Sequence, residues 1–205
     1  SGSYNMTDVQ TTADKNNVII IHSSGVAAGY KNEFNQMFSG VFGASKIDYS
    51  GAYTVATATV YTKFSPKSDV LASIKSHIGT ANTSVYFNIF TFTDKGVADA
   101  LIARKNAAVT VKGTFDAWQA TSAYSQDDYM LANGVAIKRD AYTGLLHDKF
   151  MAIDGGTTSA PDGFVLAGAS ATIAREATTR MHGLYSAAVT AAAGAVGTLT
   201  YTVDP

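Results

Sequence analysis

The chain has 205 residues, 46% of them hydrophobic and 15% charged, with a net charge of -1 at pH 7; that is enough for one sizeable core or two small ones. It contains no cysteine, which excludes disulfides, thiolate catalysis and cysteine zinc sites, and the near-neutral balance advertises no basic surface for nucleic acid. No apolar run approaches the ~20 residues of a membrane-spanning helix. Low charge with abundant Ser, Thr, Ala and Tyr points to a secreted or periplasmic protein. The start at Ser1-Gly2-Ser3, without Met, reads as that of a mature or cleaved product.

In chain order, residues 1–17 are polar, and Val18 to Ile21 is expected to be a buried strand. Ser23 or Ser24 can cap a helix whose apolar positions Val26, Tyr30, Phe34 and Phe38 recur every four residues, and Gly40 and Gly43 end it. Residues 44–59 show no clear element and read as a linker. A second unit begins near Val60, where Ser65-Pro66 is expected to start a helix with the stripe Val70, Leu71, Ile74 and Ile78. Ser84 to Phe90 is rich in strand formers. Thr93-Asp94 can start a helix carrying Val97, Ala98, Leu101 and Ile102. Val109 to Phe115 alternates as a strand, Tyr124 to Leu131 reads as a helix, and Val135 to Lys138 as a short strand. Phe164 to Leu166 is a further strand candidate. Beyond Phe164 Ala and Thr dominate, and the only charges are Arg175, Glu176, Arg180 and Asp204. Strands alternating with helices of this length imply an α/β fold, with a mixed, largely parallel sheet covered by helices on both faces.

One stretch proposes chemistry. Leu145-Leu146-His147-Asp148-Lys149-Phe150-Met151-Ala152-Ile153-Asp154 reads H-x-K-x-x-x-x-D in an apolar strand closed by Gly155-Gly156. Residues two apart in a strand share a face, so His147 and Lys149 project together, a base or nucleophile beside a fixed positive charge. Asp154 falls at the strand's far end, where it can accept hydrogen bonds and lock the turn. This arrangement suits chemistry on a phosphate. His22 reads as a core or edge histidine, His77 as a solvated helix residue, and His182 falls in the Ala- and Thr-rich tail; none has metal-ligand spacing. Trp118 and the tyrosines read as core and rim.

There is also an internal echo. Gly2-Ser3-Tyr4-Asn5-Met6-Thr7 has a weak counterpart in Gly168-Ala169-Ser170-Ala171-Thr172, just after the H-x-K stretch.

This combination resembles the phospholipase D superfamily, whose members carry H-x-K-x-x-x-x-D followed by G-S-x-N, usually twice per active site. Phe64 to Lys67, Phe92 to Asp94 with Ala100 to Ile102, Val109 to Asp116 and Asn133 to Val135 are also similar to that family's repeat, and Asn16 to Phe42 resembles the close of one. The resemblance implies a phospholipase D-like fold with three parts: 1–43 as the end of a first repeat, 44–59 as linker, and 60–205 as a second repeat. It further implies a metal-independent phosphodiesterase acting on a phospholipid head group or nucleic acid through a phosphohistidine, with no cofactor. His147, Lys149 and Asp154 take the catalytic positions, and Ser3, Asn5 and Ser170 the phosphate-binding ones. The chain departs from the pattern in three ways. Ala171 replaces the second asparagine, Asn16-Asn17 and His182-Gly183 stand where an acidic residue commonly orients the histidine, and the first H-x-K motif lies outside these residues. The partner implied is therefore a second H-x-K motif, from a cleaved partner chain or a homodimer mate. The alternative is a non-catalytic half or phosphate-binding module.

Overall fold

The computed structural model describes residues 1–141 and 143–155, and beyond them the backbone of three strands. In chain order the elements are α1 (Asp8–Thr12), α2 (Ser24–Phe38), β1 (Gly51–Val55), β2 (Ala58–Thr62), α3 (Val70–Gly79), β3 (Ser84–Ile89), α4 (Lys95–Asn106), β4 (Thr110–Phe115), α5 (Asp127–Ala132), β5 (Ala136–Arg139) and β6 (Lys149–Ile153). They are followed by β7 (Ala171–Arg175), β8 (Ala187–Ala191) and β9 (Val196–Leu199), an antiparallel sheet in the order β7-β8-β9. The chain forms two compact units, one of residues 1–20 with 77–205, the other of residues 21–76. Among the described residues, no helix is long and apolar enough to cross a membrane.

The first unit is built on a four-stranded sheet in the order β5-β4-β3-β6. β3, β4 and β5 run parallel, and β6 returns antiparallel against β3, pairing Val85 with Ile153 and Ile89 with Lys149. The expected mixed, largely parallel sheet is thus present. Its core arises from strand alternation meeting helix periodicity. Val85 and Phe87 of β3 and Val111 and Phe115 of β4 share one face and pack with Val97, Ala98, Leu101 and Ile102 of α4, with Ile78, and with Met130 of α5. Asp94 caps α4, accepting the Val97 amide at 2.7 Å. Gly113 is required by its neighbour, because a Cβ there would lie 2.1 Å from the Phe87 ring.

The unit of residues 21–76 differs more from the sequence reading. Residues 44–59, read as a linker, contain a 3₁₀ turn at Gly43–Ser45 and most of the β1–β2 hairpin. The hairpin turn carries Ala56 at φ 53°, a left-handed position that Gly or Asn usually marks, so the residue types did not announce it. In α2 the N-cap is Ser23, as expected, but the buried face is Val26, Gly29 and Glu33, while Tyr30, Phe34 and Phe38 stay exposed. Two contacts turn the helix this way. Tyr53 of β1 packs so close to Gly29 that a Cβ would meet its hydroxyl, and Glu33 is drawn inward by an ion pair with buried Lys46. α3 begins at Val70 rather than at Ser65-Pro66 because Asp69 caps it, accepting the Ala72 amide at 2.8 Å.

Val18 to Ile21 does not form the expected buried strand. Among the described residues, residues 17–19 pair with residues 1–3, through Ser3 N–H to Asn17 O at 2.9 Å and Ile19 N–H to Ser1 O at 2.6 Å. With so short a partner, Ile19, Ile20 and Ile21 remain exposed. The expected strand at Phe164 to Leu166 lies outside the described residues.

Candidate active site

The motif sits where the sheet topology puts functional groups. β3 and β4 end together at Ile89 and Phe115, and β6 begins opposite Ile89 with Lys149. His147 therefore lies at the carboxyl edge of the parallel strands, the edge at which open α/β sheets bind ligands. It precedes β6 rather than lying in it. Burial still alternates, with Leu146 and Asp148 inward and His147 and Lys149 outward. Both outward residues flank Phe90: the His147 ring is 4.7 Å from it and the Lys149 ammonium 5.0 Å from its centroid. Lys149 Nζ also donates to the His147 carbonyl at 2.8 Å. Partial desolvation lowers the Lys149 ammonium below its ordinary value, against the pull of the neighbouring Asp148 charge.

The segment of residues 1–17 completes the site. His147 Nδ1 lies 3.0 Å from the Ser3 carbonyl and 3.1 Å from Asn16 Oδ1. Asn16 is buried, and its orientation is set by its neighbours: Nδ2 points to the carbonyls of Gln10 and Asp14, while Oδ1 accepts the Ser3 hydroxyl at 3.0 Å. A carbonyl and an amide oxygen can only accept. The hydrogen-bond network thus assigns the neutral ring's proton to Nδ1 and the lone pair to Nε2, which has no hydrogen-bond partner among the described residues. Asn17 Oδ1 accepts the Lys149 amide at 3.1 Å, so adjacent asparagines hold the two motif residues. Around them, the Leu145 amide donates to Asp14 at 2.8 Å, the Leu146 amide to buried Asp116 at 2.8 Å, and Lys15 pairs with Asp140 at 3.0 Å.

The structure thus brings together His147, Lys149 and Ser3, although the Ser3 hydroxyl is spent within the segment, donating to Asn16 and accepting the Asn17 amide at 3.0 Å. Asn5 is exposed, and its amide donates to Gln10 at 3.4 Å. Ser170 lies outside the described residues. Asp154 is at the opposite edge of the sheet, roughly 20 Å from His147 by strand rise. There its carboxylate accepts the amides of Asn82, Thr83 and Ser84 at 2.7–3.1 Å. Those bonds, Thr83 and Asn82 foremost, hold it well below the usual carboxylate range.

Phe90 and Asp116 were invisible as site residues in the sequence, because their places follow from strand pairing rather than spacing. Asn16 carried a signal only as the position where an acid was expected. Asp148 is 3% exposed; one oxygen faces Asn88 Nδ2 at 3.5 Å and the other has no hydrogen-bond partner among the described residues. Burial pushes its carboxyl up. Among the described residues no cluster of His, Asp or Glu could hold a metal ion.

A histidine and a lysine thus stand at the carboxyl edge of a mixed sheet closed by an antiparallel strand, in a mixed α/β domain. The model of the family described as "Cardiolipin synthase, PLD-like domain" matches residues 74–182, more than half of the chain, and the chain belongs to that family. The chain is 28% identical over 85 residues to a mitochondrial cardiolipin hydrolase of Chlamydomonas reinhardtii, a match covering 42% of this chain and 38% of that protein. Among solved structures it is similar to Nuc, a phospholipase D family member from Salmonella typhimurium, at 28% identity and a TM-score of 0.42, covering 44% of this chain and 60% of that one. It is also similar to NucT from Helicobacter pylori, at 25% identity and a TM-score of 0.37, covering 42% and 60%. The chain therefore spans less than two thirds of the length of each of these relatives.

Proposed function

We propose that this chain supplies one half of a metal-independent phosphodiesterase site, with His147 as nucleophile and Lys149 as the cation that binds the non-bridging phosphate oxygens. The observation that carries this reading is the pair of neutral acceptors on His147 Nδ1, beside Lys149 on the same aromatic ring. They orient the ring with its lone pair on Nε2, and that lone pair can attack phosphorus. The P–N bond forms as the P–O bond to the departing alcohol breaks. A second histidine, from a further H-x-K motif in a cleaved partner chain or a homodimer mate, protonates that alcohol. Water then attacks the phosphohistidine, giving its proton to the second histidine, and the phosphomonoester leaves with Nε2 restored. Lys149 offsets the charge that gathers on the phosphoryl oxygens, which is the work a metal ion does elsewhere. Membership of the phospholipase D-like family and the likeness to a cardiolipin hydrolase support a phosphodiester substrate.

The test is turnover by the catalytically competent assembly, with chelator present, on a phosphatidyl ester and on DNA. His147→Ala is expected to lower turnover by at least about a thousandfold, as loss of a covalent nucleophile does; unchanged turnover would sink the reading. The second reading is a non-catalytic, phosphate-binding half. It is favoured by the Ser3 hydroxyl being engaged internally, and by Ala171 in place of an amide. Phosphate binding without turnover in that assembly would establish it.

A further inference from the structure

Residues 117–126, Ala-Trp-Gln-Ala-Thr-Ser-Ala-Tyr-Ser-Gln, follow β4 and carry no charge. The sequence reading placed Trp118 and the tyrosines in core and rim; here Trp118 is 66% exposed and Tyr124 77%. The segment is not loose. Thr121, Ser122 and Ser125 amides bond back to the carbonyls of Trp118, Gln119 and Ser122 at 3.0–3.1 Å, and the Gln126 amide bonds to Phe92 O at 3.0 Å. Asp116 holds its start, accepting the Gln119 amide at 2.9 Å with the oxygen that does not hold Leu146. Thr91, next to the Phe90 ring that touches His147, contacts Gln119 at 3.0 Å. A fixed loop thus presents two large aromatics to solvent at the sheet edge that carries His147 and Lys149.

We propose that this loop is a membrane-surface contact that seats the site on a zwitterionic lipid interface. This rests on the phosphodiesterase reading and narrows its substrate to a lipid. Trp and Tyr are the residues whose apolar rings and polar tips favour the headgroup layer, and the intervening Ser, Thr and Gln suit the same layer. The charge pattern argues against a polyanion. A nucleic-acid surface needs Lys or Arg, and the loop has none. The cavity of about 440 Å³ that the loop borders is lined by two carboxylates, Asp127 and Asp128, against one guanidinium, Arg139.

Trp118 is the single tryptophan, so the chain reports its own binding. With phosphatidylcholine vesicles carrying brominated acyl chains, its emission shifts to shorter wavelength and is quenched, with little dependence on salt. Replacing Trp118 and Tyr124 together by Ala lowers vesicle partition, measured by sedimentation, by about tenfold or more. The His147→Ala chain binds vesicles as the parent does. In the competent assembly, the double variant loses activity on vesicle-borne phosphatidylcholine but keeps it on a water-soluble phosphodiester. Unshifted Trp118 emission on vesicles overturns the loop proposal, as does a shift with single-stranded DNA alone. Hydrolysis of the soluble phosphodiester judges the phosphodiesterase reading separately.

Discussion

Asn16 decides how His147 is presented. Its amide oxygen and the Ser3 carbonyl hold Nδ1 without adding a formal charge, where a carboxylate would favour the protonated ring. Asn16→Asp restores that carboxylate in nearly the same volume. If His147 is the nucleophile, it must be neutral to attack. The acidic limb of the assembly's pH–rate profile is then expected to move to higher pH by about one unit, while the alkaline limb stays. Movement of the alkaline limb instead would make His147 the general acid. The H-x-K spacing made His147 and Lys149 legible as a pair, because a two-residue separation implies a shared side in any extended chain. Nothing local distinguished Asn16 from any other polar residue. Its role comes from residues 1–17 folding back onto the loop before β6, through contacts more than a hundred positions apart in sequence.

At the scale of elements, Asp154 belongs to the sheet rather than to the chemistry. It ends β6 at φ 51° and ties that end to the three amides preceding and opening β3. Its carboxyl is depressed in the fold, so its stabilising effect is present above the unfolded aspartate value of about pH 4. That effect is lost as pH falls below that value. Asp154→Asn is expected to lower the denaturation midpoint at pH 7, with the gap closing in acid; an equal gap at pH 3 would show the carboxylate charge to be irrelevant. Other elements show why sequence signals vary. α4 was legible because Asp94 and the positions 97, 98, 101 and 102 repeat one message, cap and apolar face. α2 was legible as a helix but not in its orientation, because the contacts of Gly29 with Tyr53 and Glu33 with Lys46 outweigh its aromatic stripe. The hairpin of β1 and β2 is not legible in the sequence because Ala56 adopts a turn conformation that its residue type disfavours.

For the whole molecule, the topology explains why one chain carries both a motif and the segment that completes it. The parallel strands β3 and β4 bring Phe90 and Asp116 to one edge, β6 delivers His147 and Lys149 there, and residues 1–17 cover Nδ1 from the other side. Those 17 residues and the motif strand belong to different repeats in the sequence reading, yet they meet at His147 and Lys149. On the proposed reading, a second histidine from a further H-x-K motif completes the chemistry. The most direct test is to quench the competent assembly during turnover under alkaline conditions, which preserve phosphohistidine, and to map the phosphate by peptide mass spectrometry. Phosphate on His147, absent in His147→Ala, is the expected result. Full turnover with His147 unmodified and the phosphate on a histidine of the partner motif would contradict it.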